Sequence, residues 1–236
     1  MKYAYDSQER RYQSLRALGT AVDYAGRSFD QFDLRPFLEQ VLPTLMFSTP
    51  RPRVLEYGTG TGPGACFLAA RGFQVDAIDL APTAIELARA FAAQRRLEVN
   101  FEVRDICSLG DRKETYDLVI DNFCRHRLIT DEERRRAAGV VREALKSTGY
   151  FIIGTVVYRA DRVLGEDRYD PATGILYRKL ATDSHDYDDA VCWADGWRAP
   201  VARHLCAERI RAELECSGFR VLRQDGGRVL CDKGIV

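Results

Sequence analysis

Apolar residues along the chain fall into short continuous runs separated by stretches with three- and four-residue spacing. Residues 54–57, 73–79, 99–104, 116–123 and 150–158 read as five buried strands, the fourth carrying the run Leu118-Val119-Ile120. Helical patterns lie between them. One leaves a glycine-rich loop and ends near Arg71, and one starts at Pro82, well suited to a first turn, and runs to about Arg96. A third covers residues 131–146, with Glu132 placed to pair with Arg136 one turn on, and its Arg134-Arg135-Arg136 triplet reads as an exposed face. Strands separated by helices imply right-handed crossovers and a mainly parallel sheet. The ending changes character. A helix over residues 202–215 stops at Ser217-Gly218, and two short apolar runs around Asp225-Gly226-Gly227 predict an antiparallel hairpin.

Two regions lie outside this alternation. Residues 1–50 predict two or three helical pieces, one with Tyr12, Leu15, Leu18 and Val22 on a buried face and a shorter one around Phe37, Leu38 and Val41. Pro43 and the Thr49-Pro50-Arg51-Pro52 segment end them, so the expected division is an N-terminal helical segment at 1–50 and a main domain at 51–236. Within the latter, residues 159–201 show no period but hold Tyr169, Tyr177, Tyr187, Trp193 and Trp197. A segment of that length without clear structure is usually functional or poorly ordered.

Composition narrows the function classes. Thirty-five basic and 35 acidic residues cancel, which argues against a nucleic-acid partner, since phosphate binding needs a basic field. There is no run of 18 apolar residues and no apolar signal core near the start, so the expectation is a cytoplasmic protein without a membrane partner. Seven cysteines at scattered positions, with no C-x-x-C pair, read as reduced thiols packed as small hydrophobes. The acidic stretch at 183–189 fits no metal loop, and no metal is expected. A monomer or homodimer is expected.

The densest chemistry is Glu56-Tyr57-Gly58-Thr59-Gly60-Thr61-Gly62. Alternating glycines after a strand let the backbone turn tightly and approach a ligand, near the unpaired N–H groups of the next helix. Two readings compete. Gly60-x-Gly62-x-x-Ala65 satisfies a dinucleotide fingerprint, with Asp79 at a distance suited to a ribose. Glu56 would sit awkwardly beside a pyrophosphate but suits a ligand carrying an ammonium group.

Four segments in order carry a more specific resemblance. Glu56-x-Gly58-x-Gly60-x-Gly62, Val75-Asp76-Ala77-Ile78-Asp79-Leu80, Arg104-Asp105-Ile106 and Tyr116-Asp117-Leu118-Val119-Ile120-Asp121 resemble motifs of the class I S-adenosylmethionine-dependent methyltransferases. Ser147-Thr148 stands where Pro-Gly is commoner before the fifth strand. The resemblance implies an α/β fold, a Rossmann-like, mainly parallel seven-stranded sheet with helices on both faces and the C-terminal antiparallel hairpin. It implies S-adenosyl-L-methionine as cofactor, held by Glu56, Gly58, Gly60 and Gly62. Asp79 would serve the ribose with Leu80 as a further cofactor contact, Asp105 and Ile106 the adenine, and Asp121 would lie beneath the methionine portion. The N-terminal helical segment at 1–50 and the insert at about 159–201 would form a lid over the acceptor, as in similar enzymes.

His126, in the loop after the fourth strand, is the candidate general base, with Phe123 and Arg203 as candidate acceptor contacts. The implied activity is direct in-line transfer of a methyl group to nitrogen or oxygen of a small molecule. A protein or peptide acceptor, a non-catalytic cofactor-binding protein and a nicotinamide oxidoreductase are the alternatives. Base methylation of nucleic acid is disfavoured because Asp121-Asn122-Phe123-Cys124 stands where such enzymes carry an Asn/Asp-Pro-Pro-Tyr loop.

Overall fold

Side chains of the central strands alternate between two buried faces of the main sheet. A computed structural model describes residues 2–19, 31–110, 115–181, 187 and 189–234. It forms β1 (Arg53–Tyr57), β2 (Gln74–Asp79), β3 (Asn100–Val103), β4 (Tyr116–Asn122) and β5 (Leu145–Gly154), with α3 (Pro63–Ala69), α4 (Pro82–Gln94) and α5 (Asp131–Ala144) between them. Val54, Leu118, Ile120 and Ile152 point to one face and pack with Leu68 of α3 and Ile85 of α4. Their neighbours Leu55, Val119, Phe151 and Ile153 point to the other, against Val141 of α5. Both faces are buried, so these strands carry apolar residues at successive positions.

The chain ends in α6 (Ala207–Cys216) and the hairpin β10 (Arg220–Asp225) and β11 (Arg228–Asp232). The sheet order is β10-β11-β5-β4-β1-β2-β3, with β11 antiparallel to both neighbours and β1 to β5 parallel. This is the seven-stranded, mainly parallel sheet with helices on both faces that the sequence predicts. Between α5 and β5 the chain passes without a loop. Tyr116 pairs with Leu145 and Leu118 with Tyr150, so the residues around Ser147-Thr148-Gly149 bulge out of register.

The N-terminal region supplies α1 (Lys2–Ala17) and α2 (Arg35–Val41). Tyr12 and Leu15 are half-buried, but Leu18 is 72% exposed, because α1 has ended before it. Val22 and Tyr24 lie outside the described residues. Glu9 of α1 reaches the start of α4, where Ala81 supplies no side-chain cap, and its carboxylate accepts from the Thr83 N–H at 3.3 Å and hydroxyl at 2.5 Å.

The 159–201 segment is more regular than its sequence suggests. Most of it forms a second, four-stranded antiparallel sheet of order β6-β7-β9-β8, from β6 (Arg168–Asp170), β7 (Ile175–Lys179), β8 (Val191–Trp193) and β9 (Gly196–Arg203). Two of these strands have only three residues, too short for an alternation to register. β9 also displaces the start of the last helix. Ala202 and Arg203 pair with Leu176 and Ile175 in the sheet, and α6 begins at Ala207. Among the described residues, no helix is long and apolar enough to cross a membrane.

Candidate active site

Sheet order reverses between β1 and β4, so the loops leaving their carboxyl ends diverge and open a cleft, the usual ligand position in an open α/β sheet. A cavity of about 850 Å³ lies there. Its walls include Gly58 and Gly60 after β1, Asp79 and Leu80 at the end of β2, Asp105 and Ile106 after β3, and Phe123 and His126 after β4.

Gly58, Gly60 and Gly62 all have positive φ. Gly58 is the most constrained: a Cβ there would stand 2.3 Å from the Cβ and Sγ of Cys124, so the loops after β1 and β4 touch through the missing side chain. Gly62 precedes α3 and does not line the cavity. Gly64, in the first turn of α3, passes unremarked in the sequence, yet a Cβ there would lie 2.1 Å from Glu56 Oε1. A glycine inside a helix is costly, which is the signal that marks it.

The acids behave differently from one another. Asp79 accepts the N–H groups of Gly60 at 2.8 Å and Ala81 at 2.9 Å, tying the first loop to the second. Its remaining lone pairs can take hydroxyl donors from the cavity. Burial raises its pKa against those backbone bonds. Asp105 caps the short turn Ile106–Ser108, accepting from Cys107 N–H at 2.8 Å. Ile106 is buried and Leu80 is 45% exposed, an apolar pair on the wall suited to a flat ring.

Glu56 and Asp121 lie behind the cavity wall, both fully buried. The Thr59 hydroxyl donates to Glu56 Oε2 at 2.5 Å, and Oε1 has no hydrogen-bond partner of proper geometry. Burial pushes the Glu56 carboxyl up to about 7, past the opposing pull of Thr59, the Ala65 N–H and Asn122. Asp121 accepts the Tyr57 hydroxyl at 2.6 Å and the N–H groups of Cys124 and Arg125 at 2.7 and 3.1 Å. It therefore shapes the loop that carries Phe123 and His126.

Phe123 holds φ +62°, a conformation a bulky residue adopts only under constraint. Its N–H donates to Gly154 O at 2.8 Å, and its ring lies where a Gly154 side chain would be. His126 is 7% exposed with Nδ1 unpartnered. Its ring centroid is 5.9 Å from that of His204, which also lines the cavity. Burial first, and the charge of Arg127 next, hold the His126 pKa well below its ordinary value. His204 falls to about 4 through burial and the nearby Arg162. Both rings are neutral at physiological pH.

Arg203 is turned away. It pairs with Asp131 at 2.5 Å and with Ile129 O, and does not line the cavity. Arg134, expected on an exposed face, is instead buried: its guanidinium grips Glu213 of α6 and donates to the carbonyls of Arg125 and Leu128. Arg125 adds a second contact to Glu213 at 3.2 Å. This buried cluster fixes the His126 loop to α5 and α6. Among the stretch at 183–189, only 187 and 189 are described.

The second sheet and α1 complete the enclosure, with Leu176, Val201 and Ala202 on one side and Tyr5, Gln8 and Tyr12 on the other. The Tyr5 hydroxyl donates to Leu80 O at 3.2 Å, and the Tyr12 hydroxyl lies 3.0 Å from where a Gly60 Cβ would stand.

Residues 54–149 match a family described as a methyltransferase domain. A 2-heptyl-1-hydroxyquinolin-4(1H)-one methyltransferase of Mycobacteroides abscessus is 29% identical over 137 residues, covering 55% of this chain and 60% of that one. A release factor glutamine methyltransferase of Koribacter versatilis is 32% identical over 37% of this chain and 33% of its own length. The chain thus spans less than two thirds of either relative. Among solved structures, a 1,6-didemethyltoxoflavin-N1-methyltransferase of Burkholderia thailandensis superposes with TM-score 0.63 at 17% identity, over 99% of this chain and 90% of that one. An S-adenosylmethionine-dependent methyltransferase of Clostridium acetobutylicum gives 0.64 at 17%, over 95% and 99%. At such identities the likeness is one of fold.

Proposed function

Residues 54–149 match a methyltransferase domain and the fold is that of solved S-adenosylmethionine-dependent methyltransferases; we propose that the chain is a class I enzyme of this kind and transfers a methyl group to nitrogen or oxygen of a small molecule enclosed beneath the second sheet. One observation carries this reading. Three successive strand tips of one sheet line a single cavity that continues, past Phe123, to a pair of neutral histidines. The name of the quinolone relative and the toxoflavin ligand of the structural one, both small ring systems, support the acceptor class.

The residues present fit the cofactor. Asp79 has free lone pairs for two ribose hydroxyls, Asp105 with Ile106 and Leu80 offers an acceptor beside an apolar slot for a purine, and the glycine loop leaves room for the amino-acid end. The buried carboxylate of Glu56 behind that loop, with Oε1 unpartnered, favours a cation on its far side. S-adenosylmethionine, when bound, supplies an electrophilic methyl group on a positively charged sulfur. The acceptor's lone pair forms the new bond to carbon while the carbon–sulfur pair stays on sulfur. The chain's own contribution is to hold acceptor and cofactor in line and to exclude water. α1 and the second sheet do the latter.

His126 reaches the cavity in the neutral, proton-accepting form, but its depressed pKa makes it a weak base. Its role in this reading is to orient the acceptor and receive a proton only from an acidic group. Calorimetry tests the proposal: S-adenosylhomocysteine binds and NADH does not, and Asp79→Ala weakens the former at least tenfold, about the worth of hydrogen bonds to a charged group. Absence of S-adenosylhomocysteine binding would overturn it.

A further inference from the structure

Beyond the strand tips, the charge lining the cavity changes sign. Arg127 and Arg162 line it beside His126 and His204, with Arg178 of β7 further out. Arg162 donates from Nη1 to His204 Nδ1 at 3.2 Å. A guanidinium has only donors, so this nitrogen accepts, and the imidazole carries its proton on Nε2. Arg127 donates to Val201 O at 2.9 Å, which holds its cationic end against β9. The charges bearing on His204 are those of Arg162 and Arg127, both positive. Those bearing on His126 are positive as well.

Carboxylates on the cavity wall belong to other elements: Asp79 and Asp105 to the strand tips, Glu132 and Glu133 to the start of α5, Asp33 to the approach to α2. Among the described residues, none forms an ion pair with Arg162. Around this cationic end the wall is apolar, through Phe123, Leu128, Val156 and Leu176. His126 Nδ1 adds a buried polar atom with no protein partner.

Building on the methyltransferase reading, we propose that the acceptor is an anion: an apolar, ring-sized body bearing an ionised oxygen, seated against Arg162 and Arg127 over the His126–His204 pair. Arginine forks recognise carboxylates and comparable oxyanions with paired hydrogen bonds. A neutral acceptor would leave Arg162 without an ionised partner among the described residues. An ionised oxygen also matches a site whose imidazoles are poor bases, because the proton is already gone before the acceptor enters.

Salicylate and its neutral amide, salicylamide, form a matched probe pair of nearly equal shape. Titrated into the protein saturated with S-adenosylhomocysteine at low salt, salicylate binds at least tenfold more tightly than salicylamide. Arg162→Gln reduces that preference at least threefold, and Arg162→Lys restores part of it. A purely structural role for Arg162 would move both ligands together. Equal affinity for the two probes, binding of neither, or a preference untouched by Arg162→Gln overturns the proposal. Retained S-adenosylhomocysteine binding in the same experiment separates its failure from failure of the methyltransferase reading.

Discussion

Glu56 illustrates how a single side chain can sense a ligand it does not touch. Its carboxyl is fully buried, holds one hydrogen bond from Thr59 and is pushed up to about 7. At pH 6.5 it is therefore mostly protonated in the free protein. A cationic ammonium bound on the glycine loop favours the ionised form, so binding lowers this pKa and expels a proton. S-adenosylhomocysteine titrated at pH 6.5 in two buffers of different ionisation enthalpy is expected to show net proton release from the protein. Glu56→Gln abolishes that release, and an unchanged release in the variant removes Glu56 as its source. The sequence shows Glu56, Asp79 and Asp105 as acids closing successive strands, because strand ends follow from the apolar pattern. It does not show that Asp79 and Asp105 line the cavity while Glu56 and Asp121 stand behind it. That distinction depends on where each loop turns, and the turns are set by contacts such as Gly58 against Cys124 and Gly64 against Glu56.

At the scale of elements, the parallel sheet was legible because its central strands are buried on both faces, so that β4 and the second half of β5 read as continuous apolar runs. Arg134 was misread for the opposite reason. Helical spacing places it among other arginines, and nothing local reports that Glu213, 79 residues later, comes back beside it. Its guanidinium serves α6 and two carbonyls of the loop after β4 together. Arg134→Ala would leave the Leu128 carbonyl without its side-chain donor, the Arg125 carbonyl with only the Leu128 N–H, and Glu213 with Arg125 as its remaining ion-pair partner. A loss of about 3–5 kcal/mol in unfolding free energy is expected, the usual result of removing one partner from a buried ion pair. Urea denaturation measures it, and a loss below about 1 kcal/mol would mean that the cluster is not an anchor. The same variant frees the loop that carries His126, so hydrogen exchange at residues 123–128 should rise before the sheet itself opens.

For the molecule as a whole, the two sheets bound different parts of one cavity. The larger one is closed by its own hairpin and presents the strand tips. The smaller one lines the cavity through Leu176, Val201 and Ala202. Its sequence signal was weak because β6 and β8 have only three residues each and β9 places Arg198 and Pro200 among its buried positions. The insert leaves the larger sheet just after β5 and returns just before α6. Val157 pairs with Leu205 at that junction, and the Tyr158 N–H donates to Leu205 O at 3.1 Å. Entry and exit are thus neighbours, bonded to each other, while the second sheet between them stands outside the strand order of the first. Such a closed bracket can be exchanged as a cassette. On the proposed function, a chimera carrying the corresponding segment of a solved structural neighbour should keep its affinity for S-adenosylhomocysteine within a few-fold and change only which acceptors it methylates. Loss of cofactor affinity in a folded chimera would show the two halves to be inseparable. On that reading, evolution retunes the acceptor by editing one contiguous insert and leaves the strand tips untouched.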